Sequence, residues 1–472
     1  MRYVLVAILL LVLAGACWAV PPHHFHFAGP MAQFLAAGKA PGVVSGGLAF
    51  AVVLTDAGAT ITPNPATFTL TAPGWDGTAT LTLADAKFAA GHLTATVKLT
   101  NGTTSVLEGL RLDLTGATEE YKAKDDKGND ILKTRAQPVT IASPLLLGDV
   151  AKKDDADPQP LDASTITFQP ETTRITVSGV VSGLYLSSVI KTPEEGGAPC
   201  ALDFDAQGRL YLLRREEWEV LRCDAEGQNM AVFGTFPDDL VNSPGHLAVN
   251  PATGDVLATT HGIYRLDATG AYKGAFPPEG AAEEDKTQGF VGALRFDHNA
   301  RLYCADEGTL ACYVDNRRTW TLDRLGDVAF GSPILLDVDL NGNFWVGDYG
   351  AHNLFELGRR GVNGKLIATG PDWHLGAVTS PAAVRCDARG YVYVIEGAST
   401  EEGQEEEERV SVFDPAGRLV RVFGHGDRLP LADALLPGQV SSLASDLAFG
   451  PDGRVYLANA DATQPILVFR PF

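Results

Sequence analysis

Between Ala201 and Phe469 one pattern recurs six times, and a repeat of this length leaves few folds open. Each copy alternates two apolar residues with polar ones, passes through a short Asp/Gly turn, and closes on an apolar–aromatic pair. In order the copies read ALDFDAQGRLYLL, HLAVNPATGDVLAT, ALRFDHNARLYCAD, LLDVDLNGNFWVGD, AVRCDARGYVYVIE and DLAFGPDGRVYLAN. The first core positions are Leu202, Leu247, Leu294, Leu336, Val384 and Leu447, spaced 45, 47, 42, 48 and 63 residues apart. The second core positions are Tyr211, Leu257, Tyr303, Trp345, Tyr393 and Tyr456. A period in the forties with several short strands per unit is the signature of a β-propeller blade. Each copy has room for four strands; in the fifth they fall at 383–386, 391–396, 410–413 and 419–423.

The start of the chain reads as an export signal: Arg2, an apolar run from Val4 to Leu13, then small residues at Ala14-Gly15-Ala16 or Cys17-Trp18-Ala19 for cleavage. Lipidation at Cys17 is the weaker alternative, because Ala14 stands where such a signal usually carries Leu. No later stretch is long and apolar enough to span a bilayer. The expected location is therefore outside the cytoplasm: secreted, periplasmic or in the cell envelope. Lys and Arg total 37 against 58 Asp and Glu, a net charge of −21, so a nucleic-acid backbone would be repelled. Five cysteines follow the signal, Cys200, Cys223, Cys304, Cys312 and Cys386, an odd number that cannot form a complete disulfide framework.

After the signal (1–19), a segment over 20–42 carries His23, His24 and His26, which read as an unstructured terminus rather than a metal site. Residues 43–150 are rich in Thr, Val, Ala, Leu and Gly with period-two alternation. Strands are expected at 47–54, 67–71, 78–83, 93–99, 107–114 and 139–141, an immunoglobulin-like β-sandwich without a Cys–Trp–Cys core. Residues 151–183 hold a charged, Pro-bearing linker and strands at 164–168 and 174–181 whose domain stays open. The propeller is expected over 184–472. Its last copy supplies only three strands before Phe472, so a strand from before the first copy must complete it. The stretch 184–190 is the first choice for that donor, and 174–181 the second.

The fifth copy, P-x-x-V-x-C-D-x-x-G-Y-V-Y-V from Pro381 followed by VSVFDPAGRLVRVFG, resembles a unit of the NHL-repeat family. Asp348 to Leu354 in the fourth is similar to that family's Asp-x-x-Asn-x-Arg segment. The resemblance covers 198–472 and implies an all-β, six-bladed propeller; its functional message is weak, since NHL propellers include binding modules and a few lyases.

Several motifs have bland readings. Asp337 to Asp348 fits the spacing of an EF-hand calcium loop, yet Asp205, Asp297 and Asp387 occupy the same turn slot as Asp339, which points to hairpin chemistry. The acidic run at 401–408 reads as a solvated loop. Cys304 and Cys312 flank Gly308 symmetrically and could face each other across a hairpin. There is no Gly-x-Ser-x-Gly, His-Glu-x-x-His or P-loop, and Glu194 to Pro199 only partly echoes the Glu-Gly-Pro-x-Trp metal motif of gluconolactonase-type propellers.

One constellation remains. The second strands end at Arg214, Thr260, Asp306, Asp348, Glu396 and Asn459, and the loops beyond them vary from copy to copy. Loops before first strands, with His246 and Trp373, are expected on the opposite side of each blade. The ligand-binding candidates are therefore Trp218, His261, Asp306, Asp348, Tyr349, His352 and Glu396, with aromatic rings to stack and polar groups to hydrogen-bond. No metal, cofactor or catalytic residue is assigned. The reading is a non-catalytic binding or scaffold protein, its partner an extracellular or cell-envelope protein, peptide or glycan. The alternative is a metal-assisted lyase or lactonase at the channel mouth, using Asp306, Asp348 or Glu396 with His261 or His352.

Overall fold

The computed structural model describes residues 47–471 apart from loop stretches, the longest being 138–144, 151–158, 164–171, 358–364, 370–380, 397–408 and 425–444. The expected signal, the histidines of 20–42, the strands at 139–141 and 164–168 and the acidic run lie outside the described residues.

The repeat folds as its alternation requires. Five sheets of four antiparallel strands begin at Pro199–Phe204, Leu247–Val249, Val291–Phe296, Ile334–Val338 and Pro381–Cys386, and a sixth begins at Asp446–Phe449. These first strands touch in cyclic order, the sixth returning to the first, so the sheets close a ring. The protein is an all-β propeller. Side chains on opposite faces of each sheet pack against the preceding and following sheets. Aromatic residues seal the junctions edge-on: Tyr303 with Phe344 at 4.8 Å between centroids, Tyr393 with Phe449 at 4.9 Å and Phe204 with Tyr456 at 4.9 Å.

The Asp turns explain the first-to-second-strand hairpins. Asp205 Oδ1 accepts the N–H groups of Gln207 and Arg209, each at 2.9 Å, and Asp297 does the same for Asn299 and Arg301. Gly208, at φ +77°, takes the left-handed position that a side chain resists. Arg209 and Arg301 reach back to the second carboxylate oxygen, and the hydroxyls of Tyr211 and Tyr303 donate to it at 3.2 Å. In the calcium-like segment Asp339 accepts from the backbone and side-chain amides of Asn343, at 2.9 and 3.0 Å. It caps a hairpin between Ile334–Val338 and Phe344–Asp348, the chemistry its siblings use.

Ring closure uses a strand from before the first copy. Ile466–Pro471 pairs antiparallel with Thr172–Ile190, from Leu184 opposite Pro471 to Ile190 opposite Ile466, as expected of 184–190. The two strands expected at 174–181 and 184–190 are, however, one strand of 19 residues. Its first half pairs with Gly47–Thr55, and its other edge pairs with Leu107–Lys124 nearly end to end. Register shifts at Ser178/Gly179 and Ser182/Leu184 bend it between the two duties. The last blade and part of the N-terminal region thus form one nine-stranded sheet. A second, four-stranded sheet contains Ala66–Leu70, Ala79–Ala89, His92–Asn101 and Gln159–Ala163.

The cysteine pair does not bridge. Register places Cys312 opposite Tyr303 and Cys304 opposite Ala311, so successive residues send the two thiols to opposite faces. Cys304 packs in the core toward the preceding blade, Cys312 in the core toward the following one.

Candidate functional site

Antiparallel pairing sets the start of each first strand opposite the end of its second: Pro199 with Arg214, Val291 with Asp306, Ile334 with Asp348, Pro381 with Glu396. The two loop sets expected on opposite sides therefore share one face. His246 shows the consequence, its backbone N–H donating to Thr259 Oγ1 at 2.8 Å at the end of its neighbour strand.

On that face the candidates fare differently. Glu396 is 2 % exposed and is bonded to Arg409 at 3.2 Å, its cross-strand partner in the register. Arg214 and Glu219 make the same cross-strand pair in the first blade with the charges exchanged. Glu396 is thus a structural ion pair rather than an open ligand group. Trp218 is 3 % exposed and packs among Cys200, Tyr211, Val220, Phe236 and Leu247, which leaves little ring for a ligand to stack on. A turn through residues 216–218, with Trp218 at φ +48° and its carbonyl accepting the Phe236 N–H at 2.8 Å, folds the indole inward. Asp306 and Asp348 end their second strands as expected, while His261, Tyr349 and His352 lie outside the described residues.

Breaking one member of a buried pair leaves an uncompensated charge at about 3–5 kcal/mol, whereas replacing both by apolar residues is close to neutral. Glu396→Ala is therefore expected to lower unfolding stability by about that amount, and Glu396→Met with Arg409→Met to recover most of it. Denaturant titrations in which single and double variants lose the same stability would contradict this role.

Charge also converges on the axis, a feature absent from the sequence reading. The residue after each core position of the first strands is Asp203, Ala248, Arg295, Asp337, Arg385 and Ala448, and the two copies with Ala carry His246 and Asp446 one residue before that position. These side chains bridge every junction. Asp203 Oδ2 accepts the Val249 N–H at 2.9 Å, first blade to second. Arg295 Nη1 donates to the Leu247 carbonyl at 2.8 Å, and its Nε lies 3.7 Å from Asp337 Oδ1, spanning second to fourth. Asp337 Oδ2 accepts the Cys386 N–H at 2.6 Å, fourth to fifth. Arg385 donates to the Leu447 carbonyl at 2.8 Å and to Asp446, and Asp446 Oδ2 accepts the Leu202 N–H at 3.1 Å, closing fifth to sixth to first. Arg295 also crosses the axis to the opposite blade, 3.6 Å from Asp446 Oδ1.

Arg295, Arg385 and Asp446 are buried, while Asp203, Asp337 and His246 keep partial exposure. Burial pushes the Asp337 carboxyl up to about 6 against the pull of Arg295, and raises Asp203 and Asp446 for the same reason. Burial lowers His246 to about 4, so its imidazole is neutral near pH 7. The arrangement can hold polar groups and store a proton. Two guanidinium groups among its carboxylates oppose a bound cation. The sequence signal for it was a charged residue on the inward side of an otherwise apolar strand.

No protein-family model matches the chain. Among solved structures it is similar to a streptogramin B lyase, at 11 % identity, covering 61 % of this chain and 98 % of that one with a TM-score of 0.41. A gluconolactonase from Xanthomonas campestris matches at 15 % identity over 61 % of this chain and 89 % of that one, TM-score 0.41. A structural-genomics protein from Bacteroides thetaiotaomicron matches at 12 % over 83 % and 98 %, TM-score 0.44. Identities and TM-scores this low assign neither a family nor an activity.

Proposed function

We propose that this is an exported, non-catalytic binding or scaffold protein, a six-bladed NHL-like propeller presenting a glycan-, peptide- or protein-binding face where its second strands end. The observation that carries this reading is the pair of inverted cross-strand ion pairs, Arg214–Glu219 and Glu396–Arg409, at matching positions of two blades. They stiffen the rim and tie up charges that a reaction would need free. Variable loops on a rigid rim suit recognition. The test is binding of the full chain to glycan and peptide arrays, followed by Tyr349→Ala with His352→Ala. Expected is at least a tenfold loss of affinity for whichever array probe binds, a ΔΔG of about 1.4 kcal/mol, with an unchanged melting temperature. Binding that instead follows substitutions in the 93–114 region would assign the site to the N-terminal sheets.

The second reading, a metal-assisted lyase or lactonase, would draw on Asp306 and Asp348, which end their second strands on the loop face. Stoichiometric zinc or calcium in purified protein, lost on chelation together with activity, would select it over the first.

A further inference from the structure

The axial cluster holds three carboxylates, Asp203, Asp337 and Asp446, against two guanidinium groups, Arg295 and Arg385. With His246 neutral, the cluster carries one uncompensated negative charge at neutral pH. The deficit has a location. Asp446 is tightly paired with Arg385, whereas Asp337 has Arg295 only at 3.7 Å and Asp203 has no cation within 4 Å among the described residues. Arg295 Nε and Nη2 are buried with no hydrogen-bond partner among the described residues, so the guanidinium is shared between two carboxylates and fully bonded to neither. A carboxylate only partly open to water and without a close cation takes up a proton more readily than a free one.

We propose that the propeller axis is a proton-binding site, taking up one proton on the Asp203/Asp337 carboxylates, and that this uptake by itself favours the closed ring as the medium is acidified. Among the described residues, the charged and titratable groups around the axial carboxylates belong to an inner strand or the residue beside it: His246, Arg295, Arg385, Cys386 and Asp446, with Asp339 and Asp387 acting on Cys386. The proton belongs to the cluster rather than to one oxygen. The sign follows from the raised carboxyls. A group near 6 when folded and 3.8 when unfolded favours the folded state fully below about 3.8, and loses that contribution as pH rises through 6. His246, lowered to about 4, acts in the opposite sense, favouring the folded state above 6.5 and losing that contribution as pH falls through 4. The two contributions are therefore separated by substitution.

Thermal unfolding of the full chain, Asp337→Asn, Asp203→Asn and His246→Gln between pH 4.5 and 8 tests this. Relative to Asp337→Asn, the native chain should gain roughly 1–2 °C in Tm on going from pH 7.5 to 5, and relative to His246→Gln it should lose stability over the same interval. In difference spectra between the native chain and Asp203→Asn with Asp337→Asn, which cancel the exposed carboxyls that begin to protonate near pH 5, the infrared carbonyl band of one carboxylic acid should grow from pH 7.5 to 5. Parallel Tm profiles for native chain and both Asn variants would overturn the proposal. Should the Asn variants fail to fold, a pH titration of the native chain decides alone: an acid band with a component rising near pH 6, above the range of exposed carboxylates, supports the proposal, and the lack of that component overturns it.

Discussion

A chain beginning at Gly196 is expected to lose cooperative unfolding and to aggregate. It keeps all six repeats but lacks the strand that pairs with Ile466–Pro471 from Leu184 to Ile190. Leu184, Tyr185 and Ile190 are 0, 4 and 4 % exposed, and Leu467, Val468 and Phe469 on the facing strand are fully buried. Each such side chain contributes about 1.5–3 kcal/mol when removed from water, so losing three of them and baring three more rivals the whole stability of a typical domain. The strand left at the edge would also present unpaired amides and carbonyls. Starting at Glu171 restores that pairing but still bares the outer edge, which Leu107–Lys124 covers in the intact protein. Light scattering and urea unfolding should therefore rank the three chains: full length first, the Glu171 start second, the Gly196 start last. A Gly196 chain that unfolds as cooperatively as the full one would refute this closure.

Asp446→Ala is expected to be the most damaging single substitution on the axis. The carboxylate is fully buried, accepts the N–H groups of Leu202 and Leu447 at 3.1 and 2.8 Å, and pairs with Arg385. Its removal leaves the Arg385 charge uncompensated, though still bonded to the Leu447 and Val384 carbonyls, and strips two amides of this acceptor, a loss of about 3–5 kcal/mol from the ion pair alone. Asp446→Asn keeps an acceptor for the amides and should lose less. A double-mutant cycle with Arg385→Met measures the pair directly: the Arg385 change should cost far less in an Asp446→Ala background. Additive losses would mean that the two side chains act independently.

How much of this was legible in the sequence depends on whether a feature repeats. Tyr211, Tyr303 and Tyr456 recur at fixed spacing, and so do the Asp turns, because packing and hairpin chemistry impose the same solution on each blade. The missing strand was deduced from a count of three where four were needed. What sits in a single copy was harder to read. Trp218 looked like a surface aromatic until a left-handed turn put it in the core. Glu396 looked open because its partner Arg409 lies beyond a long insertion. Cys304 and Cys312 looked symmetric about Gly308, but one step of register sends them to different faces. The placement of loop sets on opposite sides failed on elementary topology, since an antiparallel hairpin returns to the side from which it started. The axial charges escaped because Asp203, Arg295, Asp337 and Arg385 vary from copy to copy, and only the closed ring brings them together.

The same axial residues also count the blades. Six related sheets could in principle close with one copy fewer or in another order, since the apolar junctions resemble one another. The charges on the axis are not interchangeable in this way. Deleting the fourth copy would seat Arg295 beside Arg385, two like charges in a dry setting. Deleting the third or the fifth would leave three carboxylates around a single guanidinium. A ring assembled from near-identical parts is thereby held to one membership and one sequence of neighbours, with the tally kept at its centre.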